Sequence, residues 1–254
     1  MCCFSKPVIS VSDTRIFARA DEEQREFLVY SMSLEAKQDL AMILPLPVAA
    51  GTGEKGVDFI NLEGYPDFFA DLLKGFPVPP PGEGRGHDTM TMTAAAAPKL
   101  EVVEVGAFEA SFVPTVNDFS RLDERFRLPK ATWAELPQYQ SYGFAVFKLK
   151  AASMRVHPMA FSFPRRDPGE LFFPTVHIHD GKVHPRARFD HILYCQPYGT
   201  DYPNFGGQWE ESQGQAKRFM KVANTKGIIE PDQHCYKREL RGQLANRDTV
   251  LRIG

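Results

Sequence analysis

The chain has 254 residues, of which 43% are apolar and 24% are charged, the proportions of an ordinary globular protein. Lysine and arginine (30) nearly balance aspartate and glutamate (32), and no run of like charges forms the basic surface that nucleic acids and anionic membranes require. We therefore expect neither nucleic acid nor membrane as a partner. A small-molecule or peptide substrate is possible. The sequence does not indicate an oligomeric state.

The beginning of the chain predicts a cytoplasmic protein. Residues 1–7 show no basic segment followed by an apolar run and a small-residue cleavage site. No later stretch approaches the ~18 uninterrupted apolar residues of a membrane span. In a reducing compartment the four cysteines are expected to be free thiols or metal ligands rather than disulfides, and they are Cys2, Cys3, Cys195 and Cys235.

Alternating apolar residues predict strands in the first fifty residues. Residues 14–20 and 26–34 have the pattern of two strands joined in a hairpin by a short polar loop. Residues 40–48 predict a third strand. Its Pro45 and Pro47 cannot donate hydrogen bonds to a neighbouring strand, so we expect its end to lie at a sheet edge.

A short helix and then an irregular segment follow these strands. The helix is predicted from Tyr65 to about Lys74, because Pro66 suits the first helical position and Gly75 suits the stop. Residues 77–98 are rich in proline, glycine and alanine and lack the apolar periodicity of a packed element. They predict a flexible insertion.

Strands dominate the remainder of the chain, with helices inserted between groups of them. The predicted strands cover residues 100–113 (two short strands), 142–150, 157–163, 171–179 and 188–196. The predicted helices cover residues 117–126, a turn at 133–136 capped by Thr132, and 208–222. This order favours an α+β fold with a strand-rich mixed or antiparallel sheet over a doubly wound parallel sheet. We expect residues 1–254 to form a single domain, interrupted by the insertion at 77–98.

Several short motifs stand in a definite order over roughly the first 175 residues. They are Cys2-Cys3-Phe4, FLVY at 27–30, DLAMILPLP at 39–47, VGAFE at 105–109 and YGFAVFKL at 142–149. This order resembles a bacterial family of uncharacterised, usually exported proteins with a CGGFF-type N-terminus, a WVVPVP-like strand and VGPYD-like and FVxxKL-like segments. The chain departs from that family in lacking an export signal. The resemblance implies a shared fold and supplies no catalytic residue, because the family has no known activity.

Histidines are concentrated in residues 171–196, which contain four of the seven in the chain. Residues two apart on a strand share a face, so His177 and His179 should project to the same side. Asp180-Gly181 is a strong signal for a two-residue hairpin turn. Counting outward from that turn pairs His177 with His184 and His179 with Lys182.

Three imidazoles on one face of a hairpin predict a metal site at His177, His179 and His184. Three nitrogen ligands and an open fourth position suit catalytic zinc, and also copper or iron. His191 and Cys195 have the same parity on the next segment and could add ligands, with Cys2 as a soft ligand. The alternatives are a polar hairpin face and a histidine site without metal, because Pro185 could end the second strand early and Lys182 would repel a cation.

The leading hypothesis is therefore a metal-binding protein, or a metalloenzyme whose substrate the sequence does not indicate. A second hypothesis starts from removal of Met1, which would leave Cys2 with a free α-amino group. An amine with a pKa near ~8 beside a thiol can act as its general base, so Cys2 could be the catalytic nucleophile of an amide hydrolase. A third hypothesis is a non-enzymatic binding or assembly module that uses the aromatic loop at 198–209.

Overall fold

The computed structural model describes residues 3–77, 103–105, 108–128, 130–150, 153–196 and 208–253. The strands are β1 (Cys3–Phe4), β2 (Ser10–Ala20), β3 (Arg25–Glu35), β4 (Leu40–Leu46), β5 (Asp58–Ile60), β6 (Val103–Val105), β7 (Phe108–Val113), β8 (Gly143–Leu149), β9 (Ser153–Pro164), β10 (Glu170–Phe173), β11 (Arg186–Gln196), β12 (Glu210–Glu211), β13 (Tyr236–Ala245) and β14 (Thr249–Arg252). The α-helices are α1 (Phe68–Lys74) and α2 (Lys130–Ala134). Short 3-10 helices cover Val116–Arg121, Glu124–Phe126, Pro137–Tyr139, Ala216–Arg218 and Val222–Thr225.

Two large sheets form the frame of the molecule. One has the strand order β1-β4-β8-β7-β6 and is antiparallel throughout. The other has the order β12-β13-β11-β2-β3-β9-β5, and only its β11–β2 pair is parallel. A two-stranded ribbon pairs β10 with β14. The prediction of a strand-rich α+β fold with mixed or antiparallel sheets and a few inserted helices is confirmed.

The largest core lies between the two sheets, because both contribute residues to one buried cluster. The alternation of side chains along a strand explains how β4 serves it. Leu40, Met42 and Leu44 belong to this inter-sheet core, whereas Ala41 and Ile43 belong to a second core on the other side of the same sheet. Every residue of β4 is buried, which is why its sequence reads as an almost continuous apolar run.

Short helices and loops cover the outer face of each sheet. Phe119 and Trp133 pack on Phe144 of β8, with ring centroids 5.0 Å and 4.8 Å away from it. On the seven-stranded sheet, Phe68 of α1 packs on Phe17 of β2 at 5.7 Å, and Ile228 joins the same cluster. The two sheets are thus the inner layers of the fold, and their central strands are buried on both faces.

The hairpin predicted in the first quarter is present as β2 and β3. Its loop is closed by the Asp21 carboxylate, which accepts a hydrogen bond of 2.8 Å from the Arg25 amide. The predicted helix is present as α1, which begins three residues after Tyr65 and ends directly before Gly75. The two strands predicted around Gly106 are β6 and β7.

Two helix predictions are wrong in their details. Thr132 lies inside α2, and its hydroxyl donates to the carbonyl of Gly181 at 2.9 Å instead of capping a turn. The described part of residues 208–222 contains no α-helix, because the Ser212 amide donates to the Cys235 carbonyl at 2.8 Å and pairs β12 with β13. Two 3-10 turns follow and pack onto the outer core of the seven-stranded sheet.

The hairpin predicted around Asp180-Gly181 does not form. The strand that begins at Glu170 ends at Phe173, and residues 174–185 contain only an isolated bridge at Ile178. Gly181 does adopt the positive φ of a turn, at 78°. The pairing of His177 with His184 that this hairpin implied is therefore wrong.

The predicted insertion at 77–98 lies, beyond its first residue, outside the described residues. The single-domain arrangement stays a prediction. Across the described ranges, no helix has the length and apolar character needed to cross a membrane.

We expect Phe147→Ala to lower the free energy of unfolding by about 3–5 kcal/mol, because it opens a cavity in the inter-sheet core. Phe147 is fully buried and its ring lies 5.6 Å from that of Phe59 and 5.8 Å from that of Phe161. Urea denaturation measures the change. The control is Leu73→Ala on the exposed side of α1, which should shift stability by less than about 0.5 kcal/mol. Equal effects of the two substitutions would contradict the core assignment.

Candidate functional site

Two polar side chains near the C-terminus hold residues 174–185 in place. The Asn246 side chain accepts from the His177 amide at 2.6 Å and donates to the carbonyls of His177 (2.9 Å) and His184 (2.8 Å). The partly buried Asp248 carboxylate accepts from the Val176 amide at 3.0 Å and from the Tyr139 hydroxyl. These side chains take up backbone groups that hairpin partners would otherwise satisfy, which is the physical reason that the predicted hairpin is absent.

The same segment lies beside the amino-terminal strand. Cys3 forms a parallel bridge with Ile178, and the Phe4 amide donates to the Ile178 carbonyl at 3.1 Å. The ring of Phe4 is 5.5 Å from that of His179. We call residues 174–185 the histidine segment. The two residues of β1 are held between β4 on one side and the histidine segment on the other.

Three imidazole rings form a stack under this segment. His177 lies between the other two, with ring centroids 5.3 Å from His179 and 5.0 Å from His191 and interplanar angles of 28° and 26°. Phe189 of β11 contacts the middle ring at 4.2 Å. We call His177, His179 and His191 the histidine stack.

Two rings of the stack are buried and carry an Nε2 atom without a hydrogen-bond partner among the described residues. His191 is fully buried and His177 is 8% exposed. The Nε2 atoms of these two rings have no hydrogen-bond partner among the described residues. Burial lowers the pKa of His191 and of His179 to about 4, and it also lowers the pKa of His177, so all three rings are neutral at pH 7.

An open cavity of about 720 Å³ borders the stack. Its wall carries both signs of charge, so it does not select an anion or a cation by charge alone. His184 lies on the rim and its Nε2 is 3.0 Å from the Asp180 carboxylate, with both side chains about half exposed. The lining residues include His177, His179, His184, Arg186, Arg188 and Asp190.

The metal site predicted at His177, His179 and His184 is wrong. Within the ranges that the structure describes, no group of three or more His, Cys, Asp or Glu side chains could hold a metal ion. His184 is outside the stack and pairs with Asp180 instead. The transition-metal cofactor (zinc, copper or iron) was inferred from this ligand set, which the structure does not assemble.

The predicted cysteine ligands are not brought to the stack. Cys195 is four residues beyond His191 on β11, about 13 Å along a strand, and its thiol is buried in the inter-sheet core, where burial raises its pKa. Cys235 lies in the core on the opposite face of the same sheet. Cys2, the predicted soft ligand and nucleophile, lies outside the described residues.

Sequence reasoning missed the residues that organise the site. Asn246 and Asp248 are some seventy positions away from the segment that they hold, and nothing in their local pattern indicates that role. His191 was considered only as an additional ligand, yet it is the buried end of the stack. The aromatic loop at 198–209 lies outside the described residues except for its last two positions, and its Trp209 packs on Phe173 at 5.8 Å.

Comparison with known proteins gives a fold match without a sequence match. No family model matches the chain, and no curated protein sequence matches it. The bacterial family resemblance therefore stays a prediction.

Among solved structures, baculovirus P35 matches with a TM-score of 0.53 at 13% identity, covering 99% of this chain and 99% of P35. P35 in its complex with caspase-8 matches with a TM-score of 0.48 at 12% identity over 95% of this chain and 96% of that one. A mutated P35 after caspase cleavage matches with a TM-score of 0.48 at 13% identity over 96% and 100%.

These comparisons correct the functional predictions. The hypothesis of a metal-binding protein or metalloenzyme is wrong, because the described residues form no metal site and the fold is similar from end to end to that of P35. The amide hydrolase centred on Cys2 is set aside with it. The expected small-molecule or peptide substrate is not carried further either, because the end-to-end fold match is to P35.

We expect Asn246→Ala to lower the free energy of unfolding by about 1–3 kcal/mol, because it leaves backbone groups of His177 and His184 without partners. Thermal or urea unfolding measures the loss. Asn117→Ala is the matched control, since Asn117 is exposed. If the two variants are equally stable, Asn246 does not hold the histidine segment.

Proposed function

We propose that this protein binds a cysteine protease of the caspase class and presents to it, as a substrate, the segment that joins α1 to β6. The observation that carries the proposal is the end-to-end match with P35, which covers 99% of both chains. P35 forms a complex with caspase-8, and a mutated P35 is cleaved by a caspase. The features of this chain itself supply two further supports.

The first support is the anchoring of the segment at its amino end. Phe76 is 2% exposed and its ring lies 5.8 Å from that of Tyr194, and the Gly75 carbonyl accepts a hydrogen bond of 2.9 Å from the Gln213 amide. The chain therefore leaves a fixed point on the seven-stranded sheet just before Pro77.

The second support is the anchoring at the carboxyl end together with the composition between the two ends. The chain re-enters the five-stranded sheet at Val103, which pairs with Ala110 of β7. Residues 77–98 are the proline-, glycine- and alanine-rich stretch that the sequence predicts to be flexible. Such a stretch on a rigid scaffold is a preferred site of proteolytic cutting, and an extended chain can add as a strand in a binding cleft.

The proposal predicts that caspase-8 forms a complex with the chain and cuts it within residues 77–98. The cut is expected there because the composition of this stretch predicts a flexible segment, and flexible segments are preferred sites of proteolysis. Size-exclusion chromatography detects the complex, and intact mass spectrometry locates the cut to the residue.

A substitution to alanine of the residue on the amino side of that cut should then abolish cleavage. The control is the same substitution at an exposed residue of equal charge outside the segment, such as Glu54 for an acidic residue or Lys226 for a basic one. Absence of both complex and cleavage, or a cut only outside 77–98, would overturn the proposal.

A cut within the segment should leave the two pieces associated. The strands on either side of it are interleaved, since β4 lies between β1 and β8 and β3 lies between β2 and β9. After limited proteolysis near Gly82–Thr93 we expect both fragments to elute together and to unfold in one transition. Two fragments that separate without denaturant, each with its own transition, would show two domains instead of the single domain that we predict.

A further inference from the structure

We propose that the histidine stack is an acid-sensitive lock on the amino-terminal strand: protonation of the stack releases residues 174–185 and, with them, β1. The histidine stack joins β11 to the histidine segment, and the histidine segment in turn pairs with β1. The inference concerns a site other than the protease-binding segment and does not depend on it.

The histidine segment holds β1 on one of its two sides. On one side, β1 pairs with β4 through Cys3–Ile43 and Phe4–Met42. On the other side its hydrogen bond is to Ile178, and a second bond joins the Val8 amide to the His179 carbonyl at 3.4 Å. Because a strand of two residues has few bonds, loss of one side leaves it weakly held.

The geometry of the stack favours neutral rings over protonated ones. Neighbouring centroids are 5.0 Å and 5.3 Å apart, so protonation of two adjacent rings would place like charges in contact within a buried site. The buried Nε2 atoms of His177 and His191 face no acceptor among the described residues. A proton added at either Nε2 atom would therefore be buried without an acceptor, and the segment would have to open to bring it to water.

Charged side chains of both signs surround the stack. Two carboxylates face it: the Asp180 carboxylate is paired with His184, and the Asp190 carboxylate accepts from the Asp13 amide at 2.9 Å and lies 3.5 Å from Nδ1 of His191. Both favour a charged ring, but burial outweighs them and the pKa values of His179 and His191 stay low. Arg186 and Arg188 line the same cavity, and Arg241 of β13 lies within the electrostatic reach of Asp190. On balance the surroundings oppose further positive charge.

The direction of the pH effect follows from these pKa values. His179 and His191 have pKa values of about 4 in the folded chain against an ordinary value of 6.5. The opened state thus binds more protons than the closed state at any pH between these values. The lock is complete above about pH 6.5, weakens as the pH falls below it, and reaches its full loss near pH 4.

Hydrogen exchange with mass spectrometry, corrected for intrinsic rates, tests the lock on the full chain at about pH 7.5 and about pH 5. Protection of amides in 3–9 and 174–185 should fall roughly 30-fold at the lower pH from His179 alone, relative to amides in the centre of β3 and β9. An unchanged ratio between the two pH values would overturn the proposal.

Two variants distinguish the stack from general acid sensitivity. His179→Phe keeps a ring in the stack but cannot take a proton, so the pH-dependent loss of protection should be roughly 30-fold smaller than in the unaltered chain, while His177 and His191 still contribute to it. His184→Phe is the matched control, because His184 is half exposed outside the stack, and it should behave like the unaltered chain. An undiminished loss in His179→Phe, or a loss that disappears in His184→Phe, would also overturn the proposal.

Histidine NMR titration of the unaltered chain decides the matter if His179→Phe fails to fold. Imidazoles that stay neutral to below about pH 5 support the lock, since the stack must exclude protons for its protonation to be coupled to opening. Titration of His179 and His191 near their ordinary value of 6.5 would overturn it.

Discussion

Burial of the central strands of both sheets on both of their faces is the constraint on which the rest of this structure depends. Each central strand divides its side chains between the inter-sheet core and an outer core, as Met42 and Ile43 do on β4. Two outer faces then need covering, and the chain covers them with short helices and loops that could not fold by themselves. Residues such as Trp133 and Phe68, which lie on those covers, are therefore as buried as residues of the sheets.

The same constraint produces the histidine stack. Residues 174–185 lie beside β1 at the edge of the five-stranded sheet, where Val176 and Ile178 join its outer core and Asn246 secures the backbone. Alternation then places the histidines between these apolar residues on the other side, over His191 and the cavity. The imidazoles are buried because the neighbouring Val176 and Ile178 must reach the outer core. Their lowered pKa values are a consequence of that burial.

Most of the strands can be predicted from the sequence, because the alternation of apolar and polar residues is a local signal. The β2–β3 hairpin, β8 and α1 with its stop at Gly75 can all be predicted from pattern and turn chemistry. The hairpin at Asp180-Gly181 could not be corrected from sequence, because the competing hydrogen bonds come from Asn246 and Asp248, far along the chain. The helix expected over 208–222 fails for a related reason, since pairing of β12 with β13 overrides local propensity.

The site was anticipated only in part. Clustering of histidines in 171–196 is visible in the sequence, and His177 and His179 do lie together. Whether imidazoles converge on a metal or stack on one another depends on ring orientation, which their spacing along the chain does not determine. The similarity to P35 is likewise invisible at the sequence level, because at 13% identity only the fold is shared.

Binding of a caspase-class protease through the segment between α1 and β6 requires a free active site on the protease. The most direct measurement is the affinity of the full chain for caspase-8, compared before and after the catalytic cysteine of the protease is covalently blocked. The proposed function predicts tight binding to the free protease and loss of at least about 100-fold, or roughly 2.7 kcal/mol, after blocking. Equal binding to both forms would contradict it, because the partner would then be recognised by another surface.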